Sequence, residues 1–204
     1  MSSSEYLDDV RKGLQESVDF FSSRDSFLRE KYVATEFLLN LAIKHEEHEL
    51  QRGEDPPDVK FRDACFEVKE ITDENCRRLS AYKEALARAL SATDPAELLE
   101  EFRPKSMTIK EVFDIVLARS SELANRKYPA SVRSSMDLLF YVNLKEVMGL
   151  VENPYPTVDP LATLGFRSVS FLDGRRSCIF CADSEAPSFL RAHLGITHRA
   201  APDT

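Results

Sequence analysis

The stretch PPDVKFRDACFEVKEI, residues 56–71, constrains the fold more than any other part of the chain. Two runs rich in β-forming residues flank the polar pair Arg62-Asp63, a pattern that predicts a β-hairpin. A turn centred on that pair aligns residues whose numbers add up to 125. Asp58 would then lie opposite Glu67, with the two Cβ atoms about 5 Å apart.

The chemistry of this hairpin depends on which side chains share a face. Because side chains alternate along a strand, Lys69 extends from the same face as Glu67. Two opposed carboxylates repel each other unless a cation lies between them. Mg²⁺ accepts such ligands, since it binds one or two carboxylates together with water and phosphate oxygens. A solvated surface strand with a cross-strand ion pair would show the same alternation and is the alternative interpretation.

The pattern Pro57-Asp58 followed by Glu67-Val68-Lys69 resembles the PD-(D/E)xK nuclease superfamily. The resemblance implies hydrolysis of a phosphodiester bond in nucleic acid, with DNA the expected substrate. It implies that Asp58 and Glu67 hold Mg²⁺ or Mn²⁺, and that Lys69 orients or activates the attacking water and stabilises the transition-state charge. The superfamily often takes a further acid from the helix before its sheet. Glu36 is in that place, although a contact with a neighbouring helix would also explain it.

The order of predicted elements extends the resemblance. A helix over about 25–43 precedes three strands, of which HEEHEL (residues 45–50) is the first, and a buried strand is expected at 137–144. This order matches the restriction endonuclease-like α-β-β-β-α-β core over about residues 25–145, so the predicted fold class is α/β with extra helices. The whole chain is also similar to a bacterial family labelled "putative endonucleases". An additional amphipathic helix at 3–22 would serve packing or a homodimer contact.

Substrate contacts are expected on the helix that follows the hairpin. Arg77, Arg78 and Lys83 lie on its early turns and are candidates for phosphate contact, although a solvated helix face is the alternative. The net charge of −8 requires any basic surface to be local. Residues 1–75 carry 10 basic and 19 acidic residues, whereas residues 76–204 carry 17 and 16.

The C-terminal part predicts a zinc-finger-like module. Residues 149–165 hold three prolines and two glycines and are interpreted as a linker between a nuclease-like domain (1–148) and the module (166–204). The candidate ligands follow the spacing of a tetrahedral structural zinc site: Cys178, Cys181, His193 and His198. The spacer and the absence of an aromatic residue at 185 depart from the usual finger. Two buried thiols with two surface histidines is the alternative.

Composition limits the remaining possibilities. No apolar run approaches the roughly 20 residues that span a bilayer, and the N-terminus has no apolar segment of a secretory signal. Four cysteines in 204 residues do not indicate a disulfide scaffold, so a cytoplasmic protein without membrane contact is expected. The leading prediction is a metal-dependent nuclease. The alternatives are a non-catalytic nucleic-acid-binding protein that uses the zinc module, and a purely structural interaction protein.

Overall fold

The computed structural model describes residues 2–22, 25–73 and 76–200. The chain forms two compact units, one of Met1–Ser26 with Asp73–Pro104 and the other of Phe27–Thr72 with Lys105–Thr204. In the part of the chain so described, no helix combines the length and hydrophobicity needed to cross a bilayer.

The secondary-structure elements are numbered in chain order. The α-helices are α1 (Ser3–Ser22), α2 (Phe27–Asn40), α3 (Arg78–Ser91), α4 (Ile109–Arg126), α5 (Ala130–Arg133), α6 (Asp159–Ala162) and α7 (Ser188–Arg191). The strands are β1 (Leu50–Arg52), β2 (Val59–Phe61), β3 (Ala64–Thr72), β4 (Lys105–Thr108), β5 (Asp137–Asn143), β6 (Val147–Val151), β7 (Ser168–Asp173), β8 (Arg176–Ala182) and β9 (Thr197–Arg199). Single 3₁₀ turns are formed by Glu47–Glu49 and Pro95–Leu98.

The smaller unit is built on the contact between α1 and α3. The ring of Phe21 stacks on that of Tyr82, with centroids 5.2 Å apart. Arg11 donates hydrogen bonds to the carbonyl oxygens of Ala89 and Ala92, at 3.0 and 2.9 Å, and so satisfies acceptors that the end of α3 leaves unpaired. The predicted helix at 3–22 is confirmed by α1.

The larger unit contains a seven-stranded sheet in the order β1-β2-β3-β5-β7-β8-β9. Strands β3, β5 and β7 run parallel, while the pairs β1–β2, β2–β3, β7–β8 and β8–β9 are antiparallel. In the β2–β3 hairpin Val59 pairs with Phe66 and Phe61 with Ala64. This is the predicted register, and it places Asp58 next to Glu67 at the end of β2.

Both faces of this sheet are buried. On one face, Phe140 and Val142 of β5 belong to the same apolar cluster as Val112 and Val116 of α4. On the other face, Leu139 joins Phe66 of β3 and the buried side of α2. The nearly continuous apolar sequence of β5 follows from this two-sided burial, as predicted.

Residues 45–50 do not form the predicted strand. The Glu49 N–H donates to the Glu46 carbonyl oxygen at 3.0 Å, which closes a 3₁₀ turn, and the Glu49 carboxylate accepts from the Glu46 N–H at 2.8 Å. The strand begins only at Leu50. The segment has charged residues and no apolar alternation that would hold it in a sheet. It forms a local turn instead, because the Glu49 carboxylate satisfies the Glu46 N–H without a neighbouring strand.

The expected linker and C-terminal module also differ from the structure. Strand β7 pairs in parallel with β5 and is followed by β8, so residues 168–182 belong to the main sheet. Within the interval 149–165, β6 pairs with β4 and α6 contributes the buried Leu161 to the core. The α/β class is confirmed, whereas an independent module at 166–204 is not formed. Proline content misled the prediction because prolines also occur between packed elements.

Candidate metal site

The β1–β2 loop and the β2–β3 hairpin bring three acids together in the larger unit. The Gly53 N–H donates to the Asp58 carbonyl at 3.0 Å. A Cβ atom at Gly53 would lie 1.8 Å from the carbonyl oxygen of Pro57, so only glycine permits this close approach. The loop therefore turns back tightly and presents Asp55 and Asp58 beside strand β3.

Asp55, Asp58 and Glu67 place one carboxylate oxygen each within 4.8 Å of one another. Among residues 2–22, 25–73 and 76–200, no other trio of His, Cys, Asp or Glu side chains converges so closely. Three oxygen donors at this separation suit a hard divalent cation such as Mg²⁺ or Mn²⁺.

Glu67 is completely buried, and its two carboxylate oxygens differ in environment. Oε1 accepts a hydrogen bond from the Tyr128 hydroxyl and lies 2.6 Å from Lys69 Nζ and 3.5 Å from Lys127 Nζ. Oε2 is buried and has no hydrogen-bond partner among the described residues. An unpaired buried carboxylate oxygen costs free energy, and a cation ligated by it would remove that cost.

Lys69 contacts both Asp58 and Glu67, the two acids that the sequence predicts to face each other. Its Nζ lies 3.4 Å from Asp58 Oδ2, 2.6 Å from Glu67 Oε1 and 2.9 Å from the Val68 carbonyl oxygen. The side chain is partly exposed, with 26% of its surface accessible. The ammonium group therefore offsets part of the negative charge of the two acids and remains accessible to a ligand.

Asp58 is held in a site that disfavours its charge. The pKa of Asp58 is raised to about 6, chiefly by burial, and the negative charges of Glu67 and Glu30 act in the same direction. Lys69 and the Val68 N–H, which donates to Oδ2 at 2.8 Å, act in the opposite direction on this pKa. A carboxylate whose pKa is shifted by burial and by a like charge is typical of a functional site.

Two contributors to the site lie far from the hairpin in sequence. Tyr128 follows α4, and burial, with the hydrogen bond to Glu67 next in size, raises the pKa of its hydroxyl, so the phenol stays a donor. Lys127 packs its ammonium over the Tyr128 ring at 4.7 Å while approaching Glu67. No local pattern could predict either residue. The sequence could have suggested Asp55 as a third ligand, since it is an acid in the same loop as Asp58.

Glu36 is not part of the acidic group, so this prediction needs correction. The acid of α2 whose charge acts on Asp58 is Glu30. Residues 30, 33, 34 and 37 share one helix face, and the last three are buried against the sheet. Glu36 lies six residues after Glu30 and therefore points about 120° away from that face.

The predicted phosphate contacts lie in the smaller unit. Arg77 precedes α3 and is exposed, as is Lys83 on the helix itself. The Arg78 guanidinium lies over the Phe21 ring at 4.9 Å. A role for these three residues in substrate binding stays a prediction.

The four predicted zinc ligands do not converge. Ser177 pairs with His198 and Cys178 with Thr197, so alternation places His198 and Cys178 on opposite faces of the sheet. An extra residue in β8 opposite β7 leaves Cys181 in the same apolar cluster as Cys178. His193 Nδ1 instead lies 3.0 Å from His198 Nε2. The Cys₂His₂ site is therefore not formed, since the sheet separates the thiols from the imidazoles.

The thiols have the character of core side chains. Burial raises the pKa of Cys178 to about 11 and that of Cys181 to about 12, which disfavours the thiolate that binds metal. The Cys178 Sγ atom contacts the Tyr155 hydroxyl at 3.5 Å. All four cysteines of the chain are free thiols.

Comparison with known proteins assigns the family. Residues 2–204 match the family described as "Putative endonuclease, protein of unknown function (DUF1780)". The chain belongs to this family. The description of the DUF1780 family agrees in class with a nuclease and names neither a metal nor a superfamily. No curated protein matches the chain.

A solved structure with the same overall fold extends the comparison. It is a protein of unknown function from Pseudomonas aeruginosa strain PAO1, described as belonging to the monooxygenase superfamily. It shares 25% sequence identity with this DUF1780 member and superposes with a TM-score of 0.60. The aligned region covers 98% of this chain and 96% of the Pseudomonas protein. The likeness supports a mixed α/β fold over the whole length.

Proposed function

We propose that this protein is a metal-dependent nuclease that hydrolyses phosphodiester bonds, with Asp55, Asp58, Glu67 and Lys69 at its centre. The observation that carries the proposal is the buried, unpaired Oε2 atom of Glu67 beside two further carboxylates. Such an arrangement leaves one buried carboxylate oxygen without a partner unless a cation is ligated there. Oxygen donors alone match Mg²⁺ or Mn²⁺, the ions that act on phosphate esters.

Asp55, Asp58 and Glu67 would hold the divalent cation. When bound, such an ion lowers the pKa of a coordinated water and neutralises charge on the phosphate. The fit rests on three oxygen donors within 4.8 Å and on the raised pKa of Asp58. An adjacent positive charge would lower that pKa and so favour the ionised carboxylate that ligates a metal.

Lys69 supplies the fixed positive charge of the site. Its ammonium would donate to the attacking water or to a non-bridging phosphate oxygen, where negative charge grows in the transition state. Tyr128 would keep Glu67 in place by donating to Oε1, which leaves Oε2 to face the ligand. The sequence resemblance assigns the same roles to Asp58, Glu67 and Lys69, and adds nothing on Tyr128.

Two further findings favour a nuclease over the alternatives. The family description names endonucleases. The order α2, β1, β2, β3, α4, β5, with α3 and β4 inserted between β3 and α4, agrees with the core that the resemblance implies. The monooxygenase description belongs to the Pseudomonas protein. Histidine is absent from the acidic trio, whereas oxygenase iron sites characteristically combine two histidines with one carboxylate.

Cleavage assays test the proposal directly. Circular duplex DNA, linear duplex DNA, single-stranded DNA and RNA would each be incubated with Mg²⁺ or Mn²⁺. We expect cleavage of at least one substrate that EDTA abolishes, and loss of cleavage in Glu67→Gln, which keeps the shape and removes the charge. Glu146→Gln, at a surface ion pair with Lys105, is the matched control and should remain active.

Two results would overturn the proposal. Equal cleavage by Glu67→Gln and wild type would assign the activity to a contaminant. Absence of cleavage on every substrate, together with no Mg²⁺ or Mn²⁺ effect on the melting temperature, would leave the acidic trio without a metal function.

A further inference from the structure

A cleft of about 230 Å³ lies beside Lys69. Strands β3 and β5 and the C-terminal half of α4 line it. Its charged residues are Lys69, Glu70, Arg119, Glu122, Arg126 and Lys127. Four cations against two acids give this lining a positive balance, although the whole chain has a net charge of −8. The cleft is therefore a local basic surface of the kind that an acidic protein needs to bind a polyanion.

The spacing of α4 creates this basic wall. Arg119, Glu122 and Arg126 are three and four residues apart, which places them on one helix face. Arg119 Nη1 lies 2.9 Å from one carboxylate oxygen of Glu122, and Arg126 Nη1 lies 3.2 Å from the other. Two guanidinium groups thus share one carboxylate. Their side chains are 54% and 79% exposed, so both can reach an external anion.

The cleft is electrostatically coupled to the acidic trio through two lysines. Lys69 and Lys127 both line the cleft and both approach Glu67 Oε1, at 2.6 and 3.5 Å. A divalent cation at the trio would compensate the charge of Glu67 that these ammonium groups now balance. They would then be available to a phosphate in the cleft. Metal and polyanion should consequently strengthen each other's binding, because such coupling is reciprocal.

We propose that this cleft binds the sugar-phosphate backbone of the substrate strand next to the bond that is cleaved. Arg119 and Arg126 are its phosphate-binding residues, and Glu122 holds them in position when no strand is bound. Guanidinium contacts to phosphate fix the position of a strand without selecting its sequence. The choice of a phosphodiester ligand rests on the proposed nuclease function, while the location of the contacts rests on the cleft.

Fluorescence anisotropy with labelled oligonucleotides tests the assignment. Short duplex DNA, single-stranded DNA and RNA would be titrated with the full chain over a range of salt, with Ca²⁺ in place of Mg²⁺ to prevent turnover. Arg119→Ala/Arg126→Ala should weaken binding about tenfold or more at low salt. It should also reduce the slope of log K against log salt by about 1.8 on duplex DNA, since two phosphate contacts are lost. The affinities for duplex DNA, single-stranded DNA and RNA show which of the three nucleic acids the cleft binds.

A charge-matched control and a variant of opposite sign sharpen the test. Lys105→Ala/Lys110→Ala removes two exposed ion-paired cations from the same unit. Lys110 lies nine residues before Arg119 and so on the opposite side of α4. This control should bind like wild type. Glu122→Gln should tighten binding, because it removes the carboxylate that competes with phosphate for both guanidinium groups.

Three results would overturn the inference: equal weakening in both double variants, unchanged affinity and salt slope in Arg119→Ala/Arg126→Ala, or no nucleic-acid binding by wild type. Failure of the proposed function has a different signature. Binding that depends on Arg119 and Arg126 without any Mg²⁺-dependent cleavage would support the cleft and reject the nuclease. Glu67-dependent cleavage that is unaffected by Arg119→Ala/Arg126→Ala would support the nuclease and reject the cleft.

Discussion

Two groups of ligand-type side chains belong to the same seven-stranded sheet and differ in outcome. At the β2–β3 hairpin, antiparallel pairing places Asp58 and Glu67 side by side, and Lys69 follows on the same face. At the β8–β9 pair, the thiol of Cys178 and the imidazole of His198 lie on opposite faces. The first group converges around a buried unpaired oxygen, whereas the second divides into core thiols and a histidine pair. Both groups contain suitable ligand residues. The pairing register decides whether these residues lie on the same face of the sheet, and only residues on one face can form a site.

The largest expected effect concerns Lys69, which should matter for catalysis and not for metal binding. Lys69→Ala should lower the single-turnover cleavage rate by about 100-fold or more, the scale of losing one transition-state stabiliser. The Mg²⁺-induced rise in melting temperature should persist, because the three carboxylates are intact. Lys110→Ala, with its exposed pair to Asp114, is the control and should leave the cleavage rate unchanged. Loss of the Mg²⁺ response in Lys69→Ala would contradict these separate roles.

The next effect uses the raised pKa of Asp58. Because the folded-state pKa of about 6 exceeds the ordinary value of 3.8, the folded protein holds this proton more tightly than the unfolded chain. That contribution to stability is complete below about pH 4 and is lost as the pH rises through about 6. Asp58→Asn should not show this pH-dependent loss. Its free energy of unfolding near pH 7 should exceed that of metal-free wild type by about 1–3 kcal/mol.

Urea unfolding from pH 4.5 to 8 in EDTA measures this difference. Added Mg²⁺ should then stabilise wild type by mass action and have little effect on Asp58→Asn. Asp114→Asn, at an exposed ion pair on α4, is the control and should follow wild type. Parallel pH profiles for wild type and Asp58→Asn would mean that the pKa of Asp58 is not raised in the folded protein.

A smaller effect tests the second group. Cys178→Ser buries a hydroxyl in an apolar cluster and should lower the free energy of unfolding by about 1–2 kcal/mol. His198→Asn, at the partly exposed histidine pair, should change it by less than about 0.5 kcal/mol. A shared zinc site would instead make both losses large and similar. Elemental analysis and melting curves with and without a chelator complete the measurement, and one zinc per chain would overturn the separation of the ligands.

The smallest effect distinguishes two acids of α2. Glu30→Gln should lower the pH midpoint of the Asp58-linked stability change by a small fraction of a pH unit, because Glu30 raises the Asp58 pKa. Glu36→Gln should leave that midpoint unchanged. A shift in Glu36→Gln alone would restore the residue that the sequence favoured.

The sequence alone determined the features that depend on short-range periodicity. The β-rich runs and the polar pair between them were sufficient to predict the β2–β3 register, and hence the facing of Asp58 and Glu67. The helix of α4, with Thr108 accepting from the Glu111 N–H as its cap, and the doubly buried strand β5 were also predictable. Local sterics and burial fix these elements, so a few neighbouring residues contain the information.

Only the tertiary structure decided which distant residues complete the site. Tyr128 reaches Glu67 across 61 positions of sequence, and Glu30 rather than Glu36 acts on Asp58 because of the way α2 rotates its apolar face onto the sheet. The same applies to Cys178 and His198, whose spacing suggested zinc. Their separation follows from the pairing of β8 with β9. Side-chain alternation is local, but the partner and register of a strand are set by packing of the whole sheet, which spacing along the chain does not encode.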